Sequence, residues 1–271
     1  MPSAWKPKPA WTPKLVALDV DGTLLEPDAQ VVSEAVGAAV HRAVEAGALV
    51  VIATGRSTLG TRPVLAALGL TGGTALCSNG AVRMDAATGE VLAVDTFDPA
   101  PVQAALAARL PGAIFAAERI DVGSLVTSKF REEALHGPQR LASLDELLAE
   151  PTSRLIANWA DHDADELLRV MAGVEFPSCT LTIDHYQPWV TVVPAGVTKG
   201  AALEKLRVEL GVPAEDTFAA GDGDNDIEML TWAAHGVAMG QAPEVVRAAA
   251  DEITATVDDD GLAKALDRWF R

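Results

Sequence analysis

Short apolar runs alternate with longer stretches of helical spacing in the first third of the chain. Three runs have the composition of strands buried on both faces of a parallel sheet: Leu15–Leu18, Leu49–Ala53 and Thr74–Cys77. Residues 31–46 and 59–68 lie between these runs and repeat their apolar positions with the period of a helix, and Ser33 stands where an N-cap is expected. The pattern predicts a β–α–β–α–β unit with a parallel sheet.

The same alternation returns in the last third of the chain. Helical spacing over 198–210 is followed by apolar runs at 217–220 and 237–239, a short helix that opens at Pro243, and a last strand over 252–257. Together, the two ends of the chain predict an α/β fold whose core is a Rossmann-like, doubly wound parallel sheet.

The middle of the chain mixes short strands with short helices. Its apolar runs predict a hairpin and four further strands, at 82–84, Val91–Val94, 114–117, Leu155–Asn158, 180–183 and 189–193. Helical spacing occurs at 102–109, Leu144–Leu148 and 165–171. This mixture predicts an inserted α+β cap over residues 82–190, with a core made of 1–81 and 191–271. Residues 1–13, rich in proline and lysine, are expected to be a flexible lead-in.

The net charge of the chain limits the classes of molecule that it is expected to bind. The formal net charge is −17, from 21 basic and 38 acidic residues. Nucleic acid and anionic membranes are bound through positive surfaces, so neither is an expected partner. No window approaches the roughly 20 apolar residues of a membrane span, and the N-terminus is not a secretory signal. We expect a cytoplasmic protein in which Cys77 and Cys179 are reduced thiols.

Polar residues stand where four predicted core strands end. They are Asp19 and Asp21, Thr54, Asn79, and Asp222 with Asn225 and Asp226. In open parallel sheets, ligands bind outside the carboxyl ends of the strands, so these groups are expected to share one site. Two carboxylates about 4 Å apart repel by about 4 kcal/mol at an effective dielectric near 20, so the site needs a cation.

Oxygen ligands without histidine or thiolate favour a hard cation, and magnesium is usual where phosphate is handled. Asp19, Asp222 and a backbone carbonyl near Val20 or Asp21 are the expected ligands. The segment GDGDNDIEML lacks the twelfth-position glutamate of a calcium-binding EF-hand loop, so that interpretation is rejected. Lys199 lies in the first turn of its helix, where a cation opposes the helix dipole, and is expected to face the acidic cluster.

These segments, in this order, resemble the haloacid dehalogenase superfamily. The motifs are DVDGTLL, ATGR, SNGA, VTKGAAL and GDGDNDIEML. The similarity is to the phosphatase branch, and most closely to the Cof-type, sugar-phosphatase-like subgroup with an α/β cap. It implies magnesium-dependent hydrolysis of a small phosphomonoester through an aspartyl-phosphate intermediate, with a small phosphorylated metabolite as the partner molecule and Mg²⁺ as the cofactor.

The resemblance also implies catalytic roles. Asp19 would be the nucleophile, Asp21 would protonate the leaving alcohol and then activate water, and Lys199 would bridge Asp19 and the phosphate. The implied metal-binding residues are Asp19, Asp21, Asp222 and Asp226, with Asp226 acting directly or through a water molecule.

The implied substrate and phosphate contacts are Thr54, Gly55, Asn79, Gly80, Lys199 and Asn225. Asn79 and Gly80 are assigned to the substrate side or to a hinge between core and cap. Gln241 departs from the asparagine that relatives often carry, so no substrate contact is transferred to it. Three residues of the cap, Arg119, Arg131 and His185, are candidates to face the leaving group.

The sequence is also compatible with two other functions. A mutase or phosphotransferase would pass the phosphoryl group to a second hydroxyl instead of water. A catalytically idle sensor would bind a phosphorylated ligand without turnover, although binding alone does not need Asp19, Asp21, Lys199 and Asp222 together. A monomer and a homodimer are equally compatible with the sequence.

Overall fold

A computed structural model describes residues 11–26, 31–131, 134–185 and 187–271. Its strands are β1 (Leu15–Leu18), β2 (Leu49–Ala53), β3 (Thr74–Cys77), β4 (Val82–Asp85), β5 (Val91–Val94), β6 (Ile114–Arg119), β7 (Gly123–Val126), β8 (Gln139–Leu141), β9 (Leu155–Asn158), β10 (Cys179–Ile183), β11 (Trp189–Pro194), β12 (Thr217–Gly221), β13 (His235–Ala238) and β14 (Glu252–Ile253). Its α-helices are α1 (Glu34–Glu45), α2 (Thr58–Leu68), α3 (Ala100–Arg109), α4 (Leu144–Leu148), α5 (Ala164–Met171), α6 (Lys199–Glu209), α7 (Ile227–Trp232), α8 (Glu244–Ala249) and α9 (Gly261–Leu266).

The larger sheet has eight strands in the order β14-β13-β12-β1-β2-β3-β4-β5. Its six strands from β14 to β3 run parallel, and β1 lies between β12 and β2. Val16 and Leu18 of β1 pack with α1, α2 and α9, whereas Leu15 and Ala17 pack with α6, α7 and α8. Helices therefore cover both faces, which confirms the predicted doubly wound α/β core and explains why β1 is apolar throughout.

The second sheet has six strands in the order β10-β11-β9-β6-β7-β8 and is antiparallel except between β7 and β8. One of its faces packs against α3, α4 and α5 around Leu106, Leu147 and Leu167. Its other face carries Ile156 and Trp189. This face is turned towards the larger sheet, because both residues line a cleft together with Asp19 at the end of β1. The second sheet and its helices are the cap.

The hairpin formed by β4 and β5 lies in the larger sheet and not in the cap. β4 pairs antiparallel with β3, in a register that places Cys77 opposite Val82. The predicted start of the cap at residue 82 was therefore wrong. Its predicted end at 190 was also too early, because β11 runs through Pro194 and pairs with β10 along its whole length. An apolar hairpin can extend any open sheet edge, so its pattern does not reveal which sheet it joins.

Smaller differences concern the ends of elements. The first helix begins at Glu34 and not at residue 31, and Ser33 is its N-cap, accepting a hydrogen bond from Val36 N at 3.2 Å. The last strand is shorter than predicted and ends at Ile253. Most of the predicted lead-in, residues 1–10, lies outside the described residues, but Trp11 packs edge-on against Trp269 with ring centroids 4.8 Å apart. None of the helices in the described ranges is long and apolar enough to cross a membrane.

Candidate active site

Three carboxylates meet at the carboxyl end of the larger sheet. Asp19 follows β1, and Asp222 and Asp226 follow the neighbouring strand β12. One oxygen atom from each of the three lies within 4.8 Å of the other two. The parallel pairing of β1 and β12 produces this convergence, because both strands end at the same edge of the sheet.

Lys199 places a positive charge inside this cluster. It is the first residue of α6, whose N-cap Thr198 accepts a hydrogen bond from Ala201 N at 3.0 Å. The Lys199 side chain is fully buried, and its Nζ lies 2.6 Å from Asp19 Oδ1 and 2.7 Å from Asp226 Oδ1. Lys199 therefore points away from its own helix into the acidic cluster, as its unfavourable position relative to the helix dipole predicted.

Asp226 holds its neighbours in the cluster in position. Its Oδ1 accepts a hydrogen bond from the Lys199 ammonium group. Its Oδ2 accepts hydrogen bonds from the backbone N–H groups of Asp222 and Gly223, each at 2.9 Å. Both carboxylate oxygens of this fully buried residue are thus engaged. This arrangement fits a group that positions Lys199 and the Asp222 backbone, while Asp19 and Asp222 face the cleft.

The electrostatics of the cluster call for more positive charge than Lys199 supplies. Burial and then the charge of Asp226 raise the pKa of Asp222 to about 7. The same two causes raise the pKa of Asp19 well above its ordinary value, although Lys199 acts in the opposite direction. Burial alone would lower the pKa of Lys199, but attraction to Asp19 and Asp226 outweighs it and raises that pKa.

The donor set fits a hard divalent cation. Asp19 and Asp222 offer carboxylate oxygens at the cleft, and burial followed by repulsion from Asp226 raises both of their pKa values although Lys199 is present. Gln241 Nε2 donates to the Gly22 carbonyl at 2.6 Å and contacts Asp222 Oδ2 at 3.3 Å, which links the two loops that carry the carboxylates. Magnesium prefers oxygen ligands of this kind.

Thr54 and Gly55 form a loop beside the carboxylates. Thr54 is fully buried, and its Oγ1 accepts a hydrogen bond from Arg56 N at 3.1 Å. A Cβ at Gly55 would lie 3.3 Å from Asn79 Oδ1 and 3.4 Å from Asn225 Nδ2, so a larger residue would crowd the loop. Asn225 and Asn79 are joined by a 2.9 Å hydrogen bond.

The Asp21 side chain is held apart from the three-carboxylate cluster. Its oxygens accept hydrogen bonds from Arg56 Nε at 2.9 Å and Arg56 Nη2 at 2.5 Å, and His136 Nε2 lies 4.0 Å away. Its side chain is 30% exposed and lines the cleft. Among the described residues, the Asp21 carboxylate is not part of the group that could hold a metal ion, so its predicted place as a side-chain metal ligand is not supported.

Other predicted site residues lie elsewhere. Gly80 packs against α6, where an added Cβ would come within 2.7 Å of Ala202 Cβ, and it borders a separate hollow behind the cleft. Arg119 donates to the Leu147 carbonyl within the cap. His185 pairs with Asp224 at 2.5 Å, linking the cap to the loop after β12. Arg131 alone of these cap residues lines the cleft described here.

The cleft between core and cap has a volume of about 550 Å³. Its core side carries Asp19, Asp21 and Asp222, and its cap side carries three residues to which the sequence interpretation gave no role or only a minor one: Arg131, His136 and Arg154. Arg56 also lines it and is 5% exposed. Arg56 belongs to the ATGR motif directly after Thr54 and Gly55, so the motif itself was the available signal. His136 and Arg154 carry no such signal, because their positions depend on how the cap folds back.

Comparison with known proteins identifies the family. A family profile described as haloacid dehalogenase-like hydrolase matches residues 16–266. The HMP-PP phosphatase of Cronobacter sakazakii is 34% identical over 238 residues, which cover 84% of this chain and 85% of that one. The chain therefore belongs to the haloacid dehalogenase-like hydrolase family, as its motifs predicted.

Two further matches extend this relationship. The 5-amino-6-(5-phospho-D-ribitylamino)uracil phosphatase YitU of Bacillus subtilis is 33% identical over 135 residues, an alignment that spans 48% of each chain and so about half of that relative. Among solved structures, the HAD subclass IIB sugar phosphatase BT4131 is similar with a TM-score of 0.80 and 26% identity, over 94% of this chain and 98% of that chain. The two relatives described above are both named phosphatases.

Replacing Gly22 by alanine is expected to disrupt the cation site. Gly22 has a φ of +79°, and a Cβ there would lie 2.1 Å from Asp222 Oδ2. The substitution should displace the Asp222 carboxylate and weaken cation binding. A ligand present at 100 times its Kd raises the free energy of unfolding of the protein that binds it by about 2.7 kcal/mol. We expect Mg²⁺ at that concentration to stabilise the wild-type protein by this amount in thermal unfolding, and we expect Gly22→Ala to lose most of the gain.

Gly37→Ala is the matched control, because a Cβ at Gly37 in α1 meets no neighbouring atom within 4 Å. This variant should keep the full stabilisation by Mg²⁺. Equal stabilisation of both variants would show that Asp222 does not hold the cation.

Replacing Lys199 by methionine should destabilise the fold. The substitution leaves Asp19 and Asp226 buried without their cation, a situation that typically costs about 3–5 kcal/mol. Lys264→Met, at an exposed position of α9, should change stability by less than about 0.5 kcal/mol. Urea unfolding measures both, and a Lys199→Met variant as stable as the control would refute the central place of this ammonium group.

Proposed function

We propose that the protein hydrolyses a small phosphomonoester in a Mg²⁺-dependent reaction, through an aspartyl-phosphate on Asp19. The observation that carries this proposal is the position of the Asp19 carboxylate. It is fixed by Lys199 at 2.6 Å, stands at an open cleft beside Asp222, and neighbours a loop with hydrogen-bond donors for an anion. Phosphoryl transfer requires mainly such positioning and charge neutralisation.

Asp19 acts as the nucleophile in the first step. One carboxylate oxygen attacks phosphorus in line with the ester oxygen, so an O–P bond to Asp19 forms while the bond to the leaving alcohol breaks. Lys199 keeps the attacking group oriented and offsets the negative charge of the phosphoryl group. Thr54 Oγ1 and the backbone N–H of Gly55 donate to phosphoryl oxygens.

Asp21 handles the protons of both steps. Its acid form gives a proton to the departing alkoxide, and the resulting carboxylate then removes a proton from the water that attacks the aspartyl-phosphate. The products are orthophosphate and the restored Asp19 carboxylate. Arg56 holds the Asp21 side chain at the cleft by donating to both of its oxygens, and one of these hydrogen bonds must open when Asp21 carries its proton.

A magnesium ion held by Asp19, Asp222 and a backbone carbonyl near Asp21 would neutralise phosphoryl charge when bound. The neutralisation matters because the chain has a formal net charge of −17, which repels phosphate esters at long range. Asp226 accepts hydrogen bonds from Lys199 and from two backbone N–H groups, and would support the cation by holding these neighbours in place.

The substrate is a small phosphorylated metabolite. A cleft of about 550 Å³ lies in the usual size range of small-molecule sites, about 300–1,000 Å³. The relatives named above are phosphatases of a phosphorylated uracil derivative, of HMP-PP and of sugar phosphates. A panel of phosphorylated sugars, nucleotides and cofactors, assayed for orthophosphate release with Mg²⁺ present, would identify the compound.

Two substitutions test the roles of the paired aspartates. Asp19→Asn should reduce orthophosphate release to the background, because an amide is not a nucleophile of this kind. Asp21→Asn should lower kcat by about 10²–10⁴ for a substrate with a poor leaving group, since proton transfer contributes about that much. The exposed Asp161→Asn of the cap is the matched control and should leave kcat unchanged.

Turnover by Asp19→Asn at the wild-type rate would contradict the covalent mechanism. Conversion of a sugar phosphate to its positional isomer, without free orthophosphate, would identify a mutase in place of a hydrolase.

A further inference from the structure

The cap contributes a buried ion pair at its boundary with the core. Arg154 precedes β9 and Glu118 lies on the neighbouring strand β6, with 3.4 Å between Arg154 Nε and Glu118 Oε2. Their side chains are 7% and 2% exposed. Two charges buried this deeply are costly to desolvate, and a well-packed apolar pair would often be as stable or more so. Stability alone therefore does not explain the pair.

Arg154 contacts the Thr54–Gly55 loop of the core, which we call the phosphate loop. Its Nη1 donates a hydrogen bond to the Gly55 carbonyl oxygen. That carbonyl belongs to the same peptide unit as Arg56 N–H, which donates to Thr54 Oγ1 at 3.1 Å. A planar peptide bond thus joins the two contacts, so Arg154 fixes one end of the unit and Thr54 Oγ1 receives the other. The Arg56 N–H occupies one lone pair of Thr54 Oγ1 and so biases the hydroxyl hydrogen away from the Gly55–Arg56 peptide.

Glu118 contacts a second loop at the site, the one that follows β3 and begins at Ser78. Its Oε2 accepts hydrogen bonds from Ser78 Oγ at 2.5 Å and Ser153 Oγ at 3.1 Å. Ser78 has a φ of +50°, a left-handed conformation that serine rarely adopts and that needs support from its surroundings. The Ser78 backbone N–H donates to the Arg56 carbonyl at 2.8 Å, which ties this loop to the phosphate loop.

We propose that Arg154 and Glu118 form a positioning pair through which the cap holds the phosphate loop of the core in its binding geometry. Arg154 orients the Gly55–Arg56 peptide and through it the Thr54 hydroxyl, while Glu118 balances the charge of Arg154 and supports Ser78. The pair therefore strengthens the binding of the phosphoryl group whatever the leaving group is. This inference rests on the proposed function, because it assigns phosphate binding to the Thr54–Gly55 loop.

Orthophosphate is the probe that separates this role from recognition of the leaving group. We would measure its binding by calorimetry in the presence of Mg²⁺, and kcat and KM for two phosphomonoesters with leaving groups of different size. Arg154→Gln should weaken orthophosphate binding by about tenfold and lower kcat/KM for both esters by the same factor. Arg154→Lys, which keeps a charged donor, should recover part of each loss.

Two arginines provide controls. Arg140→Gln removes an exposed cap arginine that pairs with Glu146 on the surface, and should change neither measurement. Arg131→Gln removes a cleft arginine that has no hydrogen bond to the phosphate loop among the described residues. It should change KM in proportion to the size or charge of the leaving group and leave orthophosphate binding unchanged.

Wild-type affinity for orthophosphate in Arg154→Gln, or a loss of kcat/KM that depends on the leaving group, would overturn the proposal. If Arg154→Gln does not fold, Glu118→Gln provides the same test, because it too should weaken orthophosphate binding. The binding measurement needs no turnover. If the wild-type protein binds orthophosphate through Arg154 but hydrolyses no ester, the proposed function fails while the positioning role stands.

Discussion

A single buried ammonium group holds the active-site end of the larger sheet together. Lys199 lies between Asp19 and Asp226, which the chain brings from the ends of two neighbouring parallel strands. Without this cation, the carboxylates would repel one another in a region from which water is excluded. Under the proposed mechanism the same contact also orients the Asp19 carboxylate for attack, so one interaction both allows the cluster to exist and prepares its reactive group.

The two parts of the chain contribute different properties to the cleft. The core supplies fixed charges and backbone donors at the ends of its parallel strands, where rigid pairing sets their spacing. The cap supplies a sheet face with Ile156 and Trp189, and two arginine side chains that line the cleft, Arg131 and Arg154. Arg154 goes further, because it bonds to the Gly55 carbonyl in the core. Under the proposed mechanism, this contact makes the cap a structural part of the phosphate site as well as its cover.

The core and its cluster were predictable because local patterns determine them. A strand buried on both faces must end in a turn, so Asp19, Thr54 and Asp222 were expected at one edge of the sheet. Positions that depend on packing between distant segments were not predictable. The contact between Arg154 and Gly55 joins residues 99 positions apart, and nothing in either segment indicates it. The hairpin of the larger sheet was misplaced for the same reason.

The most direct test of the account is to find the phosphoryl group on Asp19. Asp21→Asn should still transfer the phosphoryl group from para-nitrophenyl phosphate, whose leaving group needs no acid, but should hydrolyse the aspartyl-phosphate slowly for lack of a base. Acid quenching followed by peptide mass spectrometry should then show phosphorylation on the peptide that contains Asp19, and none in the Asp19→Asn/Asp21→Asn double variant. Turnover of the same ester with no phosphorylated peptide, or with the label on another residue, would contradict the account.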